Sequence, residues 1–264
     1  MSSLPPRVIG HRGSPAVAPE NTIAGFLRAA HEGASMVELD VRLTHDGVPV
    51  VHHDRRLGRT TVGRGRIREL PAARVMEVDA GTRFSPRFRG ERIPTLVAVL
   101  AALPRSVGVN VEVKTEGDIR RRALYVARLL PLFRAARRTR PLLVSSFDHR
   151  LLVRFHAADP TLPLGVLYFA VRDLGVRPSH LAASAGAWTF ICSRAQLRRR
   201  HAVDAHAHGI RVMVYGVHTA RHLRIALRRG ADDVITDHPA RMVKALHAPA
   251  PRRGRLAGAL ASLR

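Results

Sequence analysis

From residue 8 to residue 236, short β-branched or apolar runs alternate with longer stretches of helical periodicity. That rhythm restricts the fold more than any other feature, because parallel strands need a crossover, usually a helix, to carry the chain back. Strands are expected at residues 8–10, 36–41, 107–113, 142–145, 164–167, 187–192, 211–215 and 234–236. Helices are expected at 24–32, 118–136, 150–157, 195–208 and 220–229. Eight strands close a (β/α)8 TIM barrel, and 264 residues is near the size of that α/β fold. Two segments depart from the rhythm. His45-Asp46-Gly47 reads as a tight turn that sends residues 49–52 back antiparallel, as a strand extra to the barrel. Residues 55–94 are rich in Gly, Pro and Arg and contain no barrel strand; they read as a small insertion packed over one end of the sheet. The chain is therefore expected to be one barrel over residues 7–246, followed by a basic, flexible tail over 247–264.

Four short motifs stand at or near strand ends: His11-Arg12-Gly13, Glu38-Leu39-Asp40, His53-Asp54 and Glu112-Val113-Lys114. Alternate residues on a strand share a face, so Glu38 sits beside Asp40, and Glu112 beside Lys114. A barrel gathers catalytic residues at the C-terminal ends of several strands, which lets these motifs converge across a hundred residues of sequence. Three carboxylates brought together repel and raise one another's pKa unless a cation lies between them, and an oxygen-only set favours Mg²⁺ or Ca²⁺ over zinc. Histidines move protons and cationic side chains grip phosphate, so the inventory suits metal-assisted cleavage of a phosphate ester. Each residue alone has an ordinary reading: a carboxylate paired to arginine, a packing histidine, a solvated lysine. Their joint occurrence at strand ends selects the chemistry. His52 competes with His53, since alternation lets only one of them face the centre. His31, His45, His149, His156, His201, His206, His208 and His247 read as structural or surface residues.

Composition narrows the partners. The formal charge is +24, from 44 Lys and Arg against 20 Asp and Glu, with arginine supplying nearly all of the positive side. Such a balance favours phosphates of any kind: nucleic acid, anionic lipid headgroups or an anionic substrate. The basic clusters at 120–122, 137–140, 198–200 and 252–255 are scattered and lack interleaved aromatics, so no specific nucleic-acid partner is expected and a solvated surface accounts for them. Cys192 is the single cysteine; it excludes an internal disulfide framework and a cysteine-rich zinc site, and its apolar surroundings read as a buried, inert thiol. Residues 1–8 hold no apolar segment of signal length and no run approaches ~20 apolar residues, which points to a cytoplasmic protein.

The motifs together resemble the glycerophosphodiester phosphodiesterases. His11-Arg12-Gly13, Pro19-Glu20-Asn21-Thr22, Glu38-Leu39-Asp40-Val41, Thr44-His45-Asp46-Gly47, Val50-Val51-His52-His53-Asp54 and Arg59-Thr60-Thr61 carry the likeness in its first part. Glu112-Val113-Lys114, Ser145-Ser146-Phe147 and the run from Gly230 to Pro239 continue it, in collinear order over roughly residues 7 to 245. The resemblance implies a TIM barrel with an insertion after the second catalytic histidine. It casts His11 and His53 as the acid/base pair, Glu38, Asp40 and Glu112 as ligands of a divalent cation, and Arg12 and Lys114 as phosphate contacts. Asp54 would orient its neighbour. The implied reaction releases sn-glycerol 3-phosphate and an alcohol from a small-molecule glycerophosphodiester. Where the family usually ends a late strand with tryptophan-threonine-valine-asparagine, this chain reads Tyr215-Gly216-Val217-His218, a departure that alters the pocket wall and bears on the leaving group. Tyr215, Phe147 and Phe169 are candidates to line that pocket. Two other readings stand beside this one. One is a lysophospholipase D whose basic surface makes peripheral contact with anionic membranes. The other is a non-catalytic barrel that binds phosphate or nucleic acid.

Overall fold

The computed structural model describes residues 5–116 and 119–248. Nine strands run in chain order as β1 (Arg7–Gly10), β2 (Met36–Leu43), β3 (Pro49–Val51), β4 (Gly108–Val113), β5 (Leu142–Ser146), β6 (Leu164–Leu167), β7 (Thr189–Ser193), β8 (Arg211–Tyr215) and β9 (Asp233–Thr236). All but β3 are parallel to their neighbours, and pairing of β1 with both β9 and β2 closes them into an eight-stranded barrel. β3 folds back antiparallel on the far end of β2, Val41 opposite Val51, as its turn sequence requires.

Ten α-helices lie among the described residues: α1 (Ile23–His31), α2 (Ala72–Met76), α3 (Leu96–Ala102), α4 (Ile119–Ala136), α5 (His149–Ala158), α6 (Ala170–Asp173), α7 (Pro178–Ala185), α8 (Arg199–Ala207), α9 (Ala220–Arg228) and α10 (Pro239–His247). Five of them, α2, α3, α6, α7 and α10, have no counterpart in the sequence expectation, because short apolar runs do not separate one helical turn or two from a strand. The helix expected from residue 195 begins four residues later: Ser193 and Gln196 exchange backbone-to-side-chain bonds of 3.0 and 3.2 Å and hold a turn there instead. The expected start of α4 at Asp118 lies outside the described residues, as does the expected tail from residue 249 onward.

Strand alternation sorts the side chains into two layers. Ile9, Met36, Leu143, Leu167, Ile191, Met213 and Ile235 fill the barrel interior beneath the catalytic end. Val37, Leu39, Val41, Val109, Val111 and Val113 face outward and pack beneath the helices with Phe26, Leu129, Phe133 and Phe155. Cys192 belongs to this outer layer, where burial pushes its thiol pKa up to about 12. At the seam, the fully buried Asp233 accepts from Arg7 Nε and Nη2 at 2.9 and 2.7 Å and from Arg211 Nη2 at 3.0 Å, tying β1, β8 and β9 together.

The insertion builds a small nucleus of its own from Leu57, Ile67, Val75, Ala80 and Ile93 against Val50 of β3. Asp79 organises its far end, accepting from the backbone of Gly81, Thr82 and Gly90 at 3.0, 2.7 and 2.9 Å. Buried Arg140 closes the C-terminal end of α3, donating to the carbonyls of Leu100, Leu103, Pro104 and Val107.

Candidate active site

The loop after β1 turns sharply to deliver its side chains. Arg12 takes a left-handed backbone (φ 51°), and Gly13 follows at φ 95°. A Cβ on Gly13 would lie 2.6 Å from the carbonyl of Gly25, so only glycine lets α1 pack this close. Thr22 caps α1 through its hydroxyl, which accepts from Gly25 N–H at 3.1 Å. Asn21, the residue before it, is left-handed as well (φ 56°) and turns inward, donating to Asp40 Oδ2 at 2.9 Å while accepting from Asp40 N–H at 3.2 Å.

This turn completes a cavity of about 240 Å³ at the C-terminal end of the barrel. His11, Arg12, Glu38, His53, Glu112, Lys114, Phe147 and Tyr215 all line it, together with Asn110 and Ser145. Asp40 stands behind this lining, yet an oxygen of Asp40 lies within 4.8 Å of oxygens from both Glu38 and Glu112, and all three carboxylates are buried. His218 does not line the cavity; it rests against Asp237, its Nδ1 accepting from Asp237 N–H at 3.3 Å. Of the departure at the end of β8, Tyr215 thus forms part of the cavity wall and His218 part of its support.

Each histidine is held by a carboxylate at Nδ1: His11 by Asp237 at 2.6 Å, His53 by Asp54 at 2.7 Å. A carboxylate at Nδ1 accepts the proton there, which leaves Nε2 of the neutral ring as acceptor. The supporting residues continue outward. Arg59, from the insertion, donates to Asp54 at 2.6 Å and to Glu20 at 2.7 Å, and Glu20 accepts from Arg12 at 2.9 Å. Arg12 in turn reaches Asp40 through Nε at 3.2 Å and Glu38 through its backbone N–H at 3.0 Å. His52, the residue after β3, does not line the cavity; it is buried, and burial lowers its pKa to about 4.

The electrostatics divide the three carboxylates. Burial, with Asp40 close by, raises the pKa of Glu38, and burial raises that of Glu112. Burial would raise Asp40 too, but Lys114 and then Arg12 outweigh it and hold Asp40 well below the usual carboxylate range. Lys114 Nζ lies 3.2 Å from Asp40 and 2.5 Å from Glu112. Glu38 Oε1 is buried with no hydrogen-bond partner among the described residues. A buried carboxylate oxygen without a hydrogen-bond partner, beside two carboxyls whose pKa burial raises, offers what a hard cation binds, so the donor set fits a divalent ion.

Asp237, Asn21, Glu20, Arg59, Asn110 and Ser145 were not singled out by sequence as site residues. Asp237 had a usable signal, since it follows β9 as His11 follows β1. Asn21 and Arg59 stood in motifs that carry the family likeness, yet nothing in those motifs assigned them a place in the site, because a left-handed turn and a long loop bring them in.

Comparison with known proteins identifies the family. Residues 11–241 match the model of the glycerophosphoryl diester phosphodiesterase family. A glycerophosphodiester phosphodiesterase of Caldanaerobacter subterraneus is 32% identical over 241 residues, covering 89% of this chain and 96% of the relative. The structure of an Oleispira antarctica phosphodiesterase in complex with the product sn-glycerol-3-phosphate superposes with a TM-score of 0.84 at 29% identity, covering 92% of this chain and 97% of that one. A glycerophosphodiester phosphodiesterase from Agrobacterium tumefaciens gives a TM-score of 0.73 at 30% identity, covering 89% and 97%. With the barrel, the paired histidines and the carboxylate cluster in place, the chain belongs to the glycerophosphoryl diester phosphodiesterase family.

Proposed function

We propose that this chain hydrolyses glycerophosphodiesters to sn-glycerol 3-phosphate and an alcohol, with His11 and His53 moving the protons. One observation carries the reading: two histidines anchored at Nδ1 share a cavity with a buried carboxylate cluster and two cationic side chains. Glu38, Asp40 and Glu112 would hold a divalent cation, Mg²⁺ or Ca²⁺, which when bound supplies positive charge to a non-bridging phosphate oxygen. Arg12 and Lys114 add fixed positive charge where phosphorus gains negative charge, and the Glu20–Arg59 brace keeps Arg12 from reorganising during the reaction. One histidine takes the proton of the attacking hydroxyl at Nε2 while the other gives its proton to the departing oxygen. Phe147 and Tyr215 flank the cavity and would bound the organic part of the substrate.

The test is release of glycerol 3-phosphate from glycerophosphocholine and glycerophosphoethanolamine, with Mg²⁺, Ca²⁺ or chelator. Metal-dependent release, reduced by about 10²-fold or more in His11→Ala and His53→Ala with folding intact, is expected. Wild-type turnover in either variant would remove that histidine from the mechanism.

A second reading, lysophospholipase D action on a membrane, is supported by one further surface. A groove of about 960 Å³ opens beside α6 and α8, lined by Leu174, Val176 and Val203 and edged by Arg177 and Arg198–Arg200. Leu174 is 80% exposed and neighbouring Val171 85%, and apolar tips among arginines suit an anionic lipid surface. Salt-sensitive binding to phosphatidylglycerol vesicles, lost in Leu174→Asp, is expected on this reading; equal binding by that variant would end it. Among the described residues no helix is long and apolar enough to cross a membrane.

A further inference from the structure

A second pocket, of about 200 Å³, is lined by four arginines and one acid: Arg55, Arg56, Arg66, Arg68 and Glu116. Arg56 and Arg66 face each other across a short antiparallel ladder inside the insertion. The bonds on either side of them, Leu57 N–H to Gly65 O at 2.9 Å and Ile67 N–H to Arg55 O at 3.1 Å, identify a non-hydrogen-bonded pair. That register places opposed side chains at the closest spacing an antiparallel sheet offers, and like charges so placed repel.

The surrounding acids leave most of this charge uncompensated. Glu116 is engaged by Arg68 at 2.7 Å. Glu69, itself 57% exposed, stands 3.8 Å from Arg66 and 3.7 Å from Arg68. Arg55 and Arg56 pair with no carboxylate among the described residues. Beside them Arg42, only 7% exposed, donates Nε and Nη2 to the carbonyl of His53 at 2.9 and 2.6 Å. Its Nη1 is buried with no hydrogen-bond partner among the described residues. Burial lowers the pKa of Arg42, and the nearby Arg55 pushes in the same direction.

A tetrahedral phosphoryl group relieves this arrangement as no single carboxylate can, because its terminal oxygens accept forked bonds from several guanidiniums at once. We propose that Arg55, Arg56, Arg66 and Arg68 form a second phosphoryl-binding site, distinct from the catalytic cavity, that takes a phosphate dianion or phosphate monoester. The occupied site would tie the two segments of the insertion together across Arg56 and Arg66 and would stiffen the segment that follows His53. It rests on the proposed function only for its position, and its binding is measured without turnover.

The full chain is titrated calorimetrically with inorganic phosphate in chelator, alongside Lys114→Ala and the double variant R56S/R66S. Wild type and Lys114→Ala are expected to bind phosphate, and R56S/R66S to bind it about ten-fold more weakly or worse. R56S/R66S should also turn over glycerophosphocholine at the wild-type rate. Binding lost in Lys114→Ala but kept in R56S/R66S would put the anion in the catalytic cavity and overturn the proposal. Should the double variant not fold, Glu116→Gln decides. Removing the carboxylate that competes for Arg68 should tighten phosphate binding by about three-fold, and an unchanged affinity would overturn the proposal. Phosphatidic acid vesicles against phosphatidylcholine vesicles separate the two sources of the group. Free phosphate binding marks a soluble ligand, vesicle binding alone a lipid headgroup, and neither rejects the site. Absence of diesterase activity would leave this result unaffected.

Discussion

Asp40 is reached by Arg12, Lys114 and Asn21 at once, the three contacts spanning 2.9 to 3.2 Å, so its charge is fixed before any ligand arrives. Glu112 is less committed: among the described residues Lys114 alone pairs with it, and burial raises its pKa. Glu112→Gln should therefore raise the metal concentration needed for half-maximal activity without abolishing turnover at saturating metal; an unchanged metal titration would take Glu112 out of the site. Asp237→Asn should lower kcat by about ten- to a hundred-fold with little change in KM, because it disturbs the proton position on His11 and not the binding surface. Measured kcat equal to wild type would reduce Asp237 to a structural contact. Most of the cavity lining was legible at this scale, since His11, Glu38, Glu112 and Lys114 all sit where strand alternation aims them inward. Asn21 was legible as part of a motif but not as a partner of Asp40, because nothing in its neighbours announces a left-handed residue.

Elements differ in how plainly the sequence announces them. Parallel strands covered on both faces read as apolar runs; β6 (LGVL) is such a run, whereas β2 (MVELDVRL) and β4 (GVNVEV) break theirs with the polar residues that face the barrel centre. Helix α3, LVAVLAA, has the same texture and is a helix because Thr95 caps it, accepting from Ala98 N–H at 3.1 Å, and because Arg140 serves its other end. In sequence the cluster 137–140 has the character of a solvated surface, yet Arg140 is buried. Arg140→Met should destabilise the protein by roughly 2–3 kcal/mol in urea unfolding, since several carbonyls lose a charged donor together. Arg140→Lys should recover little of that loss, because one ammonium cannot reach all four carbonyls. Full recovery by lysine would mean that charge, and not the forked geometry, matters.

At the scale of the molecule, barrel closure depends on Asp233, which bridges Arg7 and Arg211 with no exposure to solvent. Burial would raise its pKa, but Arg7 and then Arg211 outweigh that and lower it. A carboxylate with a depressed folded pKa stabilises fully above its unfolded value of about 3.9, and that stabilisation is lost as pH falls through the folded value. Asp233→Asn should thus cost about 3 kcal/mol at pH 7, and its deficit against wild type should shrink below about pH 4. A deficit independent of pH would assign the loss to packing. The barrel itself was legible from strand number and rhythm. The brace across its mouth was not, because Arg59 belongs to the insertion while its partners Glu20 and Asp54 stand on two other segments. Residues 55–94 therefore cannot be exchanged between relatives as an inert decoration: a chimera whose grafted segment lacks an arginine at this place would keep every proposed catalytic side chain and lose the strut that aligns them.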